Sequence, residues 1–93
     1  MPKTIHKYTL DPTEDPCTVS MPSGAKVLSV GVQSEHIRVW AEVDPSEGCS
    51  LRQFSIVGTG HAVKTTGRFI GTVMLYGGSL VLHVYEKGGG DAQ

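Results

Sequence analysis

Apolar and polar residues alternate with a period of two along most of this 93-residue chain, between short clusters of Gly, Pro, Asp and Ser. No stretch repeats apolar residues at i, i+3 and i+4 among good helix formers, so the pattern predicts strands rather than amphipathic helices. HIRVWAEV shows it most clearly. Ile37, Val39, Ala41 and Val43 share one side, and His36, Arg38, Trp40 and Glu42 the other, as in a strand with one buried and one wet face. Trp40 is therefore expected on the wet side. Further strands are expected at TIHKYTL, CTVSM, AKVLSVGVQ, LRQFSIVG, RFIGTVMLY and SLVLHVYEK. In the third of these, Leu28, Val30 and Val32 should share a face. DPTEDP and DPSEGCS punctuate the series, because proline removes a ladder donor and forces the residue before it to be extended. The expected fold is all-β, a small antiparallel sandwich or partly closed barrel of about six or seven strands.

A C-terminal hairpin is expected across Gly77-Gly78, the residue type that a two-residue turn with positive φ at both centres favours. Counting outward from it pairs Leu75 with Leu80, Met74 with Val81, Val73 with Leu82, Thr72 with His83 and Ile70 with Tyr85. Phe69, Val73, Leu75, Leu80, Leu82 and Val84 then line the core side. Ile70, Thr72, Met74, Tyr76, Val81, His83 and Tyr85 form a mixed aromatic, aliphatic and hydrogen-bonding face. Either that face meets a partner or the first two strands cover it.

The length supports one core, expected over residues 1–87, with the glycine-rich segment 88–93 as a mobile tail. The formal net charge is -1, with basic and acidic residues dispersed, which disfavours a protein held on duplex nucleic acid by many phosphate contacts. The apolar runs are far short of the roughly 20 residues that cross a bilayer, and the N-terminal residues do not read as a secretory signal; the expected location is the cytoplasm. Cys17 and Cys49, the two cysteines, lie in no C-x-x-C pattern and are expected to be reduced.

SIVGTGHAVKTTGRFIG (55–71) places a histidine directly after a Gly-Thr-Gly turn. As a dinucleotide fingerprint it fails, since Val63 stands where a third glycine is needed and a strand follows instead of a helix. Gly58 and Gly60 can still aim successive N–H groups at one point, a small anion nest; an ordinary strand exit is the plainer reading. His83 and Glu86 fall on opposite faces of a regular strand and are poor candidates for a shared metal or a proton relay unless a bulge intervenes. His61 and His83 alone are too few for a metal site. Ser55, Ser79, Cys17 and Cys49 lack a nucleophile-elbow signature, and Glu14, Asp15, Glu42, Glu47 and Glu86 are scattered in turn-like or solvated positions. No catalytic residue, metal or cofactor is assigned.

At MPSGAKVLSVGVQ, GTGH and FIGTVMLYGGSLVLHVYE the chain resembles a family of short β proteins carried by bacteriophages and prophages, over nearly its whole length. The resemblance implies a phage protein in a host cell and assigns no activity. The expected function is a non-enzymatic phage accessory protein that binds a host or phage protein, such as a host defence or regulatory component, and that assembles as a homo-oligomer. The alternative is a binder of a nucleotide-like small ligand; a small hydrolase ranks third. The expected contact residues are Gly58, Thr59, Gly60, His61, Trp40, Arg38, Tyr76, His83 and Tyr85, chosen because aromatic rings and arginine dominate contact energetics and aromatics also stack on nucleobases.

Overall fold

A computed structural model describes residues 2–64 and 67–87; the expected tail at 88–93 lies outside the described residues. Among them the chain forms β1 (Thr4–Leu10), β2 (Cys17–Pro22), β3 (Lys26–Gln33), β4 (His36–Val43), β5 (Cys49–Gly58), β6 (Arg68–Leu75) and β7 (Leu80–Glu86). All strand pairs are antiparallel. They make a three-stranded sheet in the order β1-β4-β3 and a four-stranded sheet in the order β2-β5-β7-β6. The sheets pack face to face without closing, so the fold is a sandwich and the barrel alternative is set aside.

The turn chemistry divides the strands between the layers. Asp11-Pro12-Thr13-Glu14 follows β1 and Asp44-Pro45-Ser46-Glu47 follows β4, and each carries the chain from the three-stranded sheet to the four-stranded one. The two turns are built alike. The Asp11 carboxylate accepts bonds from the Thr13 amide and hydroxyl at 2.9 and 2.7 Å, and that of Asp44 accepts them from Ser46 at 3.0 and 2.6 Å. Such side-chain bonds reproduce a backbone turn locally. They hold both carboxyls below their ordinary pKa, the hydroxyl contributing more than the amide.

The core lies between the sheets. Ile37, Val39, Ala41 and Val43 of β4 are buried as the alternation requires, against Leu10, Met21, Phe54, Val73, Leu75, Leu82 and Val84. Each such large side chain contributes about 1.5–3 kcal/mol on burial. The Gly77-Gly78 turn is as expected, with φ of 67° and 95° and the Ser79 amide bonding the Tyr76 carbonyl at 3.3 Å.

Two one-residue bulges correct the expected faces. On β6 the register passes from Phe69↔Tyr85 to Gly71↔Val84, leaving Ile70 as the extra residue. Phe69, and not Ile70, therefore stands opposite Tyr85. Phe69 is 52% exposed, while Ile70 packs against the core. On β3 the shift between Val27 and Ser29 makes Leu28 the extra residue; Leu28 is exposed and Val27 takes its place inside. Both bulges lie on edge strands at the rim where the sheets approach, with Val30 Cγ1 2.8 Å from where a Cβ on Gly71 would sit. A bulge on an edge also interrupts the ladder that a further strand would extend. Leu80 keeps core parity, but it lies in the last pair of its ladder, Leu75↔Leu80, and is 39% exposed.

The larger correction is Glu86. Expected among the scattered, mostly solvated carboxylates, it is buried beside the buried Arg52, with Arg52 Nε 2.5 Å from Glu86 Oε2.

Candidate functional site

The mixed face expected from the hairpin exists. Strand parity places Val81, His83 and Tyr85 of β7 outward, beside Thr72, Met74 and Phe69 of β6 and Val57 and Ser55 of β5. The first two strands do not cover it: β2 lies in the same sheet and β1 in the other. Phe69 and Tyr85 meet edge to face at 5.4 Å between ring centroids, the geometry that opposes a ring's positive edge to its neighbour's negative face.

His83 is held at the middle of this face. Its Nε2 is 2.8 Å from Thr59 Oγ1 and its Nδ1 2.9 Å from Thr72 Oγ1. Thr59 Oγ1 is in turn 3.3 Å from the Val81 carbonyl. One arrangement of protons serves every group. Thr72 donates to Nδ1, the Nε2–H donates to Thr59, and the Thr59 hydroxyl donates to Val81. The ring is thus fixed between the strand exit after β5 and the edge strand β6.

β5 and β6 both run antiparallel to β7 and flank it, so they are parallel to each other. The segment after β5 must therefore return along the sheet, and the Gly-Thr-Gly-His stretch begins this return. The Thr59 amide bonds the Val81 carbonyl at 3.3 Å and the His61 amide the Gly58 carbonyl at 3.0 Å. Gly60 has φ of 90°, and Gly58 is an ordinary strand residue opposite Leu82. The His61 ring is exposed and lies against Gly58. The histidine that clamps strands is His83.

Two open clefts flank this sheet. β2 pairs with β5 only as far as Cys17↔Phe54, and beside the uncovered stretch of β5 opens a cleft of about 630 Å3 lined by Asp15, Ser55, Gly58, His61, Lys64 and Lys87. A second cleft, of about 330 Å3, lies at the rim between the sheets and is lined by Lys26, Arg52, Arg68, Glu86 and Lys87.

The structure brings Gly58, Gly60 and His61 together in the larger cleft, and Thr59, His83 and Tyr85 on the outer face of the four-stranded sheet. Tyr76 stands at the hairpin tip, 67% exposed. Trp40 and Arg38 are not brought to them, since both lie on the outer face of the opposite sheet. There Trp40 is half-buried, with its ring over Gly31, and Arg38 donates through Nη1 to Thr9. Cys17 and Cys49 are free thiols. Among the described residues no group of three or more His, Cys, Asp or Glu converges as a metal site requires, and no helix is long and apolar enough to cross a membrane.

The whole chain, residues 1–93, matches a family described as a domain of unknown function (DUF7352). The chain belongs to this family. No curated protein and no solved structure matches it. For this DUF7352 domain, the sandwich and its surfaces therefore carry the functional reading. Sequence reasoning missed Arg52 and Glu86, although a signal existed: Arg52 shares the strand parity of Phe54 and Ile56, and Glu86 that of Leu82 and Val84. A charge on the core side of each of two strands announces a buried pair.

Proposed function

We propose that this protein works without catalysis, as a phage-encoded accessory protein that binds another protein, a copy of itself included, through the outer face of the four-stranded sheet. One observation carries the reading. Phe69 and Met74 stand 52% and 60% exposed beside Tyr85 and Val81, around a histidine whose orientation is already fixed. Large apolar groups grouped on one sheet face favour binding, because covering them removes apolar surface from water. The likeness to short phage and prophage proteins supports a partner in the host or the phage.

A photo-crosslinking residue at Met74 tests this in the cells that carry the gene. Ile5 is the control, an exposed apolar side chain on the opposite sheet. Protein adducts from position 74 and none from position 5 are expected. Equal labelling from both positions, or none from 74, would refute the reading.

A second reading, a nucleotide-like ligand in the larger cleft, is favoured by its volume of about 630 Å3, within the range of roughly 300–1,000 Å3 usual for ligand pockets. Retention of nucleotide by the purified protein, lost in Lys64→Gln, would favour it over the protein-binding reading.

A further inference from the structure

The smaller cleft concentrates charge in a way the chain as a whole does not. Lys26, Arg52, Arg68 and Lys87 line it against the single carboxylate of Glu86, a formal balance of +3 in a chain of net charge -1. These side chains come from four strands or strand ends in both sheets: Lys26 opens β3, Arg52 lies in β5, Arg68 opens β6 and Lys87 follows β7. They meet at one rim of the sandwich.

The floor of the cleft is built. Arg52 is 7% exposed, and its guanidinium is aimed by two bonds, Nε to Glu86 Oε2 at 2.5 Å and Nη1 to the Ala25 carbonyl at 2.9 Å. The Gly67 backbone lies close against that of Glu86, since a Cβ on Gly67 would be 1.8 Å from the Glu86 carbonyl oxygen. Arg68 Nη2 stands 3.6 Å from Glu86 Oε1, on a side chain that is 64% exposed. That is an ion pair longer than a hydrogen bond, so Arg68 is held at the cleft by the carboxylate's charge while its N–H donors stay open to an anion. Lys26 and Lys87 are exposed.

A buried carboxylate needs one cationic partner, and Arg52 supplies it. Arg68, ion-paired with the same carboxylate, and the exposed Lys26 and Lys87 add positive charge at this rim, which an anion would offset. Guanidinium groups offer paired donors to oxyanions, and lysines add point charge. The volume of about 330 Å3 lies at the lower end of the range for ligand pockets, enough for a phosphate group with a small organic remainder.

We infer that the rim cleft formed by Lys26, Arg52, Arg68 and Lys87 is an oxyanion site that takes a phosphate group, free or at the end of a small molecule. An anion there bridges the two sheets, so occupancy stabilises the sandwich as well as filling the cleft. The site is separate from the sheet face proposed for protein binding.

The test is titration with inorganic phosphate and with pyrophosphate at constant ionic strength, read by NMR chemical shifts and by thermal melting. The variants are Lys26→Gln with Arg68→Gln, both on exposed side chains, and Lys64→Gln, which lines only the larger cleft. Saturable shifts at residues 26, 52, 68 and 87 with a raised midpoint are expected. The double variant should lose affinity about tenfold or more, with its ligand-free midpoint little changed, and Lys64→Gln should bind as the wild type does. Three results would each overturn the proposal: no saturable binding of either anion, a stabilisation that chloride reproduces at the same ionic strength, or an affinity that falls in Lys64→Gln and not in the double variant.

Discussion

On the outer face of the three-stranded sheet Lys7, Trp40 and Arg38 lie down, although Ile5 stands 58% exposed. Lys7 reaches across β4 to Gln33 at 2.6 Å, the Trp40 ring rests over Gly31, and Arg38 bonds Thr9. On the outer face of the four-stranded sheet His83 is tied at both ends, and Phe69 and Met74 stand clear of the surface. The two faces belong to the same core and similar strands, so the core does not explain the contrast. It follows from what projects outward. A face carrying Lys, Gln and Arg can bond across the strands while burying its own aliphatic stems, although Arg38 Nε is buried here without a partner among the described residues. One carrying Phe, Met, Val and Tyr has few donors to use and remains available to cover apolar surface elsewhere.

The severest way to break the comparison is to remove the platform both faces share. Glu86→Leu leaves Arg52 buried without its counter-charge, and uncompensated charges of this kind cost about 3–5 kcal/mol. Urea denaturation should show that loss, with both faces disturbed in NMR spectra; a cost below about 1 kcal/mol, within the range of an ordinary substitution, would mean that Arg52 escapes to solvent.

Exchanging one residue on each face sharpens the contrast. Trp40→Ala removes a half-buried ring and should cost about 1–2 kcal/mol, a fraction of the loss for a fully buried one, with self-association unaffected. Met74→Lys should stay within about 0.5 kcal/mol in stability and abolish, in sedimentation, the self-association proposed for this face. If Met74→Lys destabilises and Trp40→Ala dissociates, the assignment of the two faces is reversed.

His83→Ala removes both threonine bonds and should cost about 1 kcal/mol for hydrogen bonds at an accessible site. Faster amide exchange at Thr59 and Val81 should accompany it. His61→Ala should leave exchange and stability unchanged, because its ring is exposed.

The smallest effect concerns the twin turns that connect the sheets. Their folded-state pKa values are lowered, so the stabilisation from Asp11 and Asp44 is present above the ordinary carboxylate pKa and is lost as pH falls through the lowered folded values. Asp11→Asn with Asp44→Asn should therefore be less stable than wild type at neutral pH, and the gap should narrow in acid. Denaturant midpoints across that range measure it; a gap that widens in acid would contradict the bonding described for both turns.

The seven strands, the all-β class and the glycine hairpin were legible in the sequence because alternation and turn residues act locally. β4 needed nothing more, since every second residue from Ile37 to Val43 is apolar and the strand is central in its sheet. The outward-facing Trp40 followed from the same parity. Tertiary structure alone decided the bulges at Leu28 and Ile70, because nothing near either residue reveals that two edge strands must approach closely enough for Gly71 to meet Val30. That single displacement sent Phe69 to the surface. Tertiary structure also decided which outward residues share a face: Trp40 and Arg38 went to one sheet and His83 and Tyr85 to the other, because turns after β1 and β4 move the chain between layers and local pattern does not record layer membership. The Arg52–Glu86 pair lies between. Parity places each charge on the core side of its strand, but only packing brings residues 34 positions apart within bonding distance, where each makes the other's burial tolerable.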